Sequence, residues 1–567
     1  MYESACREIL EQILNHEITN KRELNTAKKR ISARYKLPSL PKNSEILALS
    51  SADEYKHIIR LLQRKPVRTV SGVAVIAVMT SPHPCPHGAC IPCPGGPASN
   101  FHTPQSYMGR EPATMRAIQC DYDPYRQVTT RLRQLQSIGH PVDKVELIVM
   151  GGTFTARPLD YQQWFIRRSL EAMNDFNASY VSCKSVESCG YSPRQTTRLH
   201  KINTENKTSG MTDQDIESAI ATNETASIRD IGITFETRPD CLHKEKIDHL
   251  LELGATKVEI GVQSVYDHVL TKINRGHTVQ DAVAANQRLR DSGLKVGFHI
   301  MIGLPGSDED HDLRMFETLF SDPGFCPDHL KIYPTLVTEG TVLHQWWRNG
   351  DYRSLDNFCA VELLANIKSM LPKWVRLQRI QRDIPAHQIA AGVTKSNIRQ
   401  LAEERLRSIG GSCTCIRCRE VGHASLRGIE PESENIKLLV ETYKACGGTE
   451  HFISFEDMKN NILIGFLRLR FPYSPHRTEL KDAALVRELM VYGRMVPVGE
   501  DPNNGQWQHR GYGGELLDKA CNIAYEHGFE KIAITSGIGV REYYRRRGYV
   551  REGAYMVKDL QAGQVPN

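Results

Sequence analysis

Cys85-Pro-His-Gly-Ala-Cys90-Ile-Pro-Cys93 sets three thiols at C-x4-C-x2-C spacing in a short loop punctuated by proline and glycine. Thiolates held this closely suit an iron-sulfur cubane, in which three sulfurs take three irons and the fourth iron stays open to a ligand. A zinc knuckle draws on the same residue type, so the surroundings of the loop decide the reading. Just upstream stands an apolar strand, Val73 to Met79. Downstream, the strand Lys144-Val-Glu-Leu-Ile-Val-Met150 ends in Gly151-Gly152-Thr153, where paired glycines let backbone approach a ligand closely.

Strand, loop and helix then repeat to about residue 345. Polar or glycine-bearing tails close the strands in turn: Glu236 and Arg238, Glu259 and Gln263, Gly303 to Gly306, then Lys331 and Tyr333. This alternation predicts an α/β fold, a parallel partial β/α barrel over 73–350 with its site at the carboxyl ends of the strands. Residues 174–212, rich in Ser, Asn and Thr, read as a surface insertion in which Cys183 and Cys189 are bystanders.

Both flanks of the barrel are basic. Segment 1–72 opens with an amphipathic helix and carries Lys28, Lys29, Arg30 and Arg34 around Tyr35. Segment 351–435 reads as a helical linker with Arg376, Arg379, Arg382, Lys395 and Arg399 near Trp374. Cations interleaved with aromatics suit phosphate contact and base stacking on RNA. In the same linker Cys413, Cys415 and Cys418 suit tetrahedral zinc, with His423 or Cys446 as the fourth ligand.

From Ile436 to the end the pattern is a mixed α/β domain. Gln508-His509-Arg510-Gly511-Tyr512-Gly513-Gly514 opens a helix from Glu515 to His527, and free N–H groups there form a cradle for a pyrophosphate. Tyr543 and Tyr544 follow in the last helix; neighbours on a helix point about 100° apart, so one belongs to the core and the other can face a ligand.

The 567 residues are 40% hydrophobic and 24% charged, and no apolar run approaches the ~18–20 residues of a membrane span. A net charge of +6 leaves an acidic partner to local patches. Clustered cysteines and the absence of a secretory signal at Met1 predict a reducing, cytoplasmic address.

The cysteine loop resembles that of radical S-adenosylmethionine (SAM) enzymes, and the segment from Gln508 to Tyr549 looks like the GNAT acetyltransferase fold. Together they resemble the catalytic subunit of Elongator, most of all its stand-alone archaeal forms. The resemblance runs through Cys93-Pro-Gly-Gly-Pro97, Gln105-Ser-Tyr107, Phe235-Glu-Thr-Arg-Pro-Asp240, Glu259-Ile-Gly-Val-Gln-Ser264, Lys331-Ile-Tyr-Pro-Thr335 and Arg419-Glu-Val421. It implies a 4Fe-4S cluster on Cys85, Cys90 and Cys93, SAM against Gly151, Gly152, Thr153, Glu236, Arg238 and Gln263, acetyl-CoA on the Gln508 loop, and a structural zinc. It further implies that a deoxyadenosyl radical takes hydrogen from the acetyl-CoA methyl, and that the carbon radical adds to C5 of the wobble uridine of tRNA. The expected product is 5-carboxymethyluridine. Lys331, Tyr543 and Tyr544 are the catalytic candidates, and the shared chemistry predicts a barrel mouth facing the acyl cleft. Beyond tRNA, the partners left open are a low-potential electron donor, accessory subunits and a second copy of the chain. A protein lysine acetyltransferase with a structural cluster, or a silent tRNA-binding scaffold, is the competing reading.

Overall fold

The computed structural model describes residues 1–64, 69, 71–176, 213–493 and 510–560. Most of the 174–212 insertion, Cys183, Cys189, Gln508 and His509 lie outside the described residues. Among the described residues no helix is long and apolar enough to cross a membrane.

The strands β1 (Ala74–Met79), β2 (Lys144–Met150), β3 (Arg229–Thr237), β4 (Ala255–Gln263), β5 (Lys295–Ile302), β6 (His329–Pro334) and β7 (Arg376–Ile380) form one seven-stranded parallel sheet in that order. Period two explains its layering. In β2, Val145, Leu147 and Val149 are buried in the core shared with the surrounding helices, while Lys144, Glu146, Ile148 and Met150 on the other face are half-buried. Side-chain caps start the connecting helices, as Asp123 does for Pro124–Ser137 and Thr278 for Val279–Asp291. The expected partial barrel is therefore present.

β7 departs from the helical reading of the basic linker. Arg376-Leu-Gln-Arg-Ile380 pairs with β6, and a register shift beyond Leu330 breaks strict alternation, so that Leu377 and Ile380 are buried three residues apart. That spacing imitates a helix in sequence.

Ahead of the barrel, the helices Tyr2–Leu14, Lys21–Arg34, Asn43–Leu47 and Ala52–Leu62 close around Ile9, Leu10, Leu24, Ile31 and Ile46. They dock on the turn before β2, where Gln63 and Thr69 meet His140 Nδ1 at 3.3 and 2.7 Å.

The second sheet comprises β8 (Ile436–Ala445), β9 (Gly448–Asp457), β10 (Ile462–Phe471), β11 (Ala483–Val491), β12 (Lys531–Ile534), β13 (Val550–Glu552) and β14 (Tyr555–Asp559), in the order β8-β9-β10-β11-β12-β14-β13. β11 and β12 run parallel and pair through Val486 and Ile534, leaving Arg487 to Val491 splayed away. The helix Tyr512–Glu526 covers one face through Leu516, Leu517, Ala520 and Ala524.

The opposite face lies on the amino-terminal ends of the barrel strands. Contacts come from residues just before or at strand starts: Gly254 lies against Ile538, Gly293 against Thr535, and Arg487 Nη1 donates to the Leu294 carbonyl at 3.0 Å. Here a buried lattice of charge joins the two domains. Arg487 grips Asp328 with both nitrogens, at 2.6 and 2.8 Å, and also reaches Glu450 at 2.7 Å. Arg290 meets Glu450 at 2.9 Å, and Arg470 bridges Glu450 (2.9 Å) to Asp291 (2.6 Å). Burial alone would raise the Asp328 carboxyl, but Arg290, Arg487 and Arg468 outweigh it and hold the group well below the ordinary carboxylate range.

Replacing Asp328 by Ala strands Arg290 and Arg487 in the interior and should cost about 3–5 kcal/mol. Urea unfolding should show that loss, whereas breaking the exposed Arg126–Asp121 pair should change stability by less than about 1 kcal/mol. An Asp328→Ala protein as stable as the parent contradicts this role for the lattice.

Candidate active site

The cysteine loop leaves the carboxyl end of β1 and forms one wall of a cavity of about 350 Å³. Cys85, Cys90 and Cys93 are unbridged and half-buried. Each sulfur has a polar side chain beside it: Thr153 Oγ1 lies 3.4 Å from Cys85, His87 Nε2 lies 3.1 Å from Cys90, and Gln105 Nε2 donates to Cys93 at 3.0 Å. Arg275 Nη1 adds a second donor 3.7 Å from Cys90. Three unpaired thiols with outer donors facing a cavity fit a cluster far better than a disulfide.

Gly151 and Gly152 turn the chain at the end of β2 with φ of 127° and 96°. A Cβ on Gly151 would lie 2.1 Å from Thr80 Oγ1, so only glycine holds the backbone beside the loop. Gln263 ends β4 in the left-handed region, φ 69°, and also lines the cavity. Arg238 is fixed by both oxygens of Asp240, each at 2.9 Å, and by the Arg275 carbonyl at 2.8 Å.

Deeper in the barrel Lys331 sits between carboxylates. Its Nζ donates to Glu236 Oε1 at 2.9 Å and also contacts Glu259, which accepts from His299 Nε2 at 2.9 Å. Burial would lower the Lys331 amine, yet Glu236 and Glu259 outweigh it and raise it well above its ordinary value. Lys331 therefore stands as a fixed cation. Glu236, Glu259 and His299 also converge closely enough to hold a metal ion, but the lysine occupies that position with its own charge. The cavity wall runs from Cys85 as far as Val75, the second residue of β1, and its lining residues all belong to the barrel and the segment that closes it.

Family models agree with this arrangement. Residues 85–319 match the radical SAM superfamily, 327–408 a radical SAM C-terminal domain, and 2–70 the ELP3 N-terminal domain. A tRNA uridine(34) acetyltransferase of Methanocaldococcus jannaschii is 50% identical over 92% of this chain and 91% of its own length. Elongator complex protein 3 of Schizosaccharomyces pombe is 43% identical over 98% of each chain. The chain belongs to the Elongator complex protein 3 family. The solved structure of the archaeal Methanocaldococcus infernus Elp3 lacking its first residues superposes with a TM-score of 0.72 at 44% identity, over 87% of this chain and all of that one. Membership of the radical SAM superfamily implies a 4Fe-4S cluster and SAM as cofactors of this chain, and the three-cysteine loop opens the matched region.

In the C-terminal domain of this Elongator family member, Gly511 begins the helix Tyr512–Glu526 at φ 91°. A Cβ on Gly513 would lie 3.0 Å from Tyr543 Oη, so that hydroxyl faces the helix start, while Tyr544 is buried among Tyr543 and Tyr549. Burial raises the Tyr543 phenol. Arg510, Tyr512 and Gly514 complete the described part of the loop.

The expected facing arrangement is not found, since the barrel mouth points away from the second sheet. The cysteine loop is at the carboxyl ends of the strands and the second sheet lies at the amino-terminal ends, because, of the charged residues that anchor it, Arg290 and Asp291 end the helix that leads into β5 and Asp328 immediately precedes β6.

The linker sulfurs Cys413, Cys415 and Cys418 gather within 4.8 Å of one another. His423 instead meets Glu420 Oε1 at 2.9 Å, and Cys446 donates to the Gly324 carbonyl at 3.4 Å in the domain interface. Lys368 Nζ lies 3.6 Å from Cys418 Sγ.

The basic residues divide. Lys29, Arg30, Arg34 and Lys395 are on the surface, with Arg30 donating to Gln12 and Arg34 paired to Glu8. Arg379 and Arg382 line the cavity, paired to Asp383 and to the Ser106 carbonyl. Lys28 is buried against Asn43, Arg376 binds Glu420 and Tyr492, and Arg399 donates to the Leu377 carbonyl. These last three serve the fold. His87, Gln105 and Arg275 had no assigned role in the sequence; their one signal was polar side chains within or soon after the cysteine loop and after β4.

Gly151→Ala should weaken SAM binding by at least about tenfold in equilibrium dialysis with the cluster reconstituted, because the clash costs more than about 1.4 kcal/mol. Unchanged binding would show that the β2 turn is not part of the site.

Proposed function

We propose that this chain modifies tRNA at the wobble uridine, building a carboxymethyl group at C5 from acetyl-CoA. The supporting observation is that a three-cysteine loop at the mouth of a barrel and a second α/β sheet fixed to that barrel share one chain, in a family whose archaeal members are named tRNA uridine(34) acetyltransferases.

When bound, the cluster and SAM supply a carbon-centred radical able to abstract hydrogen. Around them, Cys85, Cys90 and Cys93 hold iron, the Gly151-Gly152-Thr153 backbone receives the SAM amino group, and Glu236, Arg238 and Gln263 bound the nucleoside. Lys331, kept charged by its two carboxylates, stabilises negative charge on the substrate at the radical end of the barrel. The Gln508 to Gly514 loop cradles the CoA pyrophosphate at a helix start. Tyr543, whose raised pKa keeps it protonated, gives a proton to the departing thiolate.

Splayed strands β11 and β12 open toward the amino-terminal end of the barrel, and the acyl group would reach the radical end through the polar barrel interior. The barrel covers the sheet face on which a lysine peptide would have to lie, which disfavours protein acetylation. Lys29, Arg30, Arg34 and Lys395 offer phosphate contacts, and Arg379 and Arg382 meet a splayed anticodon base at the cavity wall. Cys413, Cys415 and Cys418 supply three ligands to a structural zinc, and His423 would have to leave Glu420, or Cys446 the Gly324 carbonyl, to supply the fourth. A low-potential reductant completes the system. The division into segments 1–72, 73–350, 351–435 and 436–567 is retained, with β7 assigned to the barrel.

Anaerobic reaction of reconstituted protein with SAM, acetyl-CoA, dithionite and unmodified tRNA should yield 5-carboxymethyluridine by nucleoside mass spectrometry, and none with Cys90→Ala. Tyr543→Phe should lower the yield by roughly 10²-fold, the lower range for a lost general acid, while Tyr544→Phe should leave it within about twofold. Product formed equally by Cys90→Ala, or equal effects of the two tyrosine variants, would contradict these assignments.

A further inference from the structure

We propose that His87, Arg275 and Gln105 are positioning residues that set the reduction potential of the cluster through the sulfurs of Cys90 and Cys93. The proposal rests on the reading of the loop as a cluster site and goes beyond it, since it concerns which outer residues control electron uptake.

The donors are distributed unevenly. Cys90 faces two, His87 Nε2 at 3.1 Å and the Arg275 guanidinium at 3.7 Å, the latter carrying a full positive charge. Cys93 faces one, Gln105 Nε2 at 3.0 Å, which also donates to the Gly95 carbonyl at 2.9 Å. Among the described residues Cys85 has the Thr153 hydroxyl at 3.4 Å. An iron-bound thiolate has lone pairs and no proton, so each nitrogen must present its N–H to the sulfur.

Other contacts hold these donors in place. Arg275 donates to the Gly261 carbonyl at 2.6 Å and to His277 Nε2 at 3.1 Å, which fixes its plane at the end of β4. His87 packs on the turn at Gly276, where an added Cβ would come within 2.7 Å of His87 Cβ, so the glycine lets the imidazole reach Cys90. The Nδ1 of His87 is buried with no partner, which leaves its sulfur contact as the polar use of the ring. Donors to cluster sulfurs stabilise the reduced, more negative state and so raise the potential. With two donors on one sulfur, loss of the Cys90 pair should lower the potential more than loss of Gln105.

The test is an anaerobic redox titration followed by electron paramagnetic resonance on reconstituted full-length protein, with iron content measured for each variant. In the parent, a reducible 4Fe-4S signal establishes the cluster reading; its absence overturns that reading and the proposal with it. His87→Leu, Arg275→Leu and Gln105→Leu should each move the midpoint to lower potential, and His87→Gln, which keeps an N–H, should restore most of the His87→Leu shift. Full iron content with an unchanged midpoint in the leucine variants overturns the proposal while leaving the cluster reading intact. Should Arg275→Leu fail to retain iron, His87→Leu against His87→Gln decides alone: a shift that glutamine rescues supports the proposal, and equal midpoints refute it.

Discussion

The buried ionic lattice between the barrel and the second sheet governs the architecture. Asp328 and Glu450 are each surrounded by arginines, and neither domain alone could keep such residues in its interior. Charges taken out of water are costly unless fully paired, and here the pairing is completed only across the interface. The two domains are thereby fixed in one relation: the acyl-transfer sheet seats on the amino-terminal end of the barrel while the cysteine loop opens at the other. A hydrophobic interface of the same area would tolerate sliding, whereas bidentate contacts such as Arg487 to Asp328 define register and angle.

This relation shapes the chemistry. β5 alone has eight residues, so the barrel separates its two ends by roughly 25 Å at about 3.3 Å per residue. Its interior is polar along that length. Lys331, Glu236, Glu259 and His299 lie toward the cysteine end, Lys257 and Glu146 pair at 2.8 Å near the strand starts, and His329 approaches Glu488 of the second sheet at 3.6 Å. Arg376 then links the start of β7 to Tyr492, just past the splayed end of β11. On the proposed function, the partial barrel is the common space of the two sites, in place of a cleft between facing mouths.

Much of this was legible in the sequence because local chemistry carried it. The cysteine spacing, the Gly151-Gly152 turn and the succession of polar strand tails specify the barrel and the residues at its carboxyl end, and Tyr543 and Tyr544 were already narrowed to a pair that burial separates. What was hidden depended on long-range contact. β7 looked helical because a register shift spaces Leu377 and Ile380 like helical positions. Lys28, Arg376 and Arg399 looked like RNA contacts because their partners, Asn43, Glu420 with Tyr492, and the Leu377 carbonyl, are distant in sequence or invisible as backbone. The orientation of the domains was equally hidden, since Arg487 and Asp328 are 159 residues apart.

The central claim is that acyl and radical chemistry meet inside this barrel. Turnover with acetyl-CoA bearing a trideuterated methyl group, followed by mass spectrometry of the 5'-deoxyadenosine released in the presence of tRNA, tests it most directly. Deuterium in the deoxyadenosine is the result expected if the acetyl methyl reaches the radical site. Deoxyadenosine formed in full yield with no deuterium would mean that the radical never meets the acetyl group, and the account of a shared reaction space would be wrong.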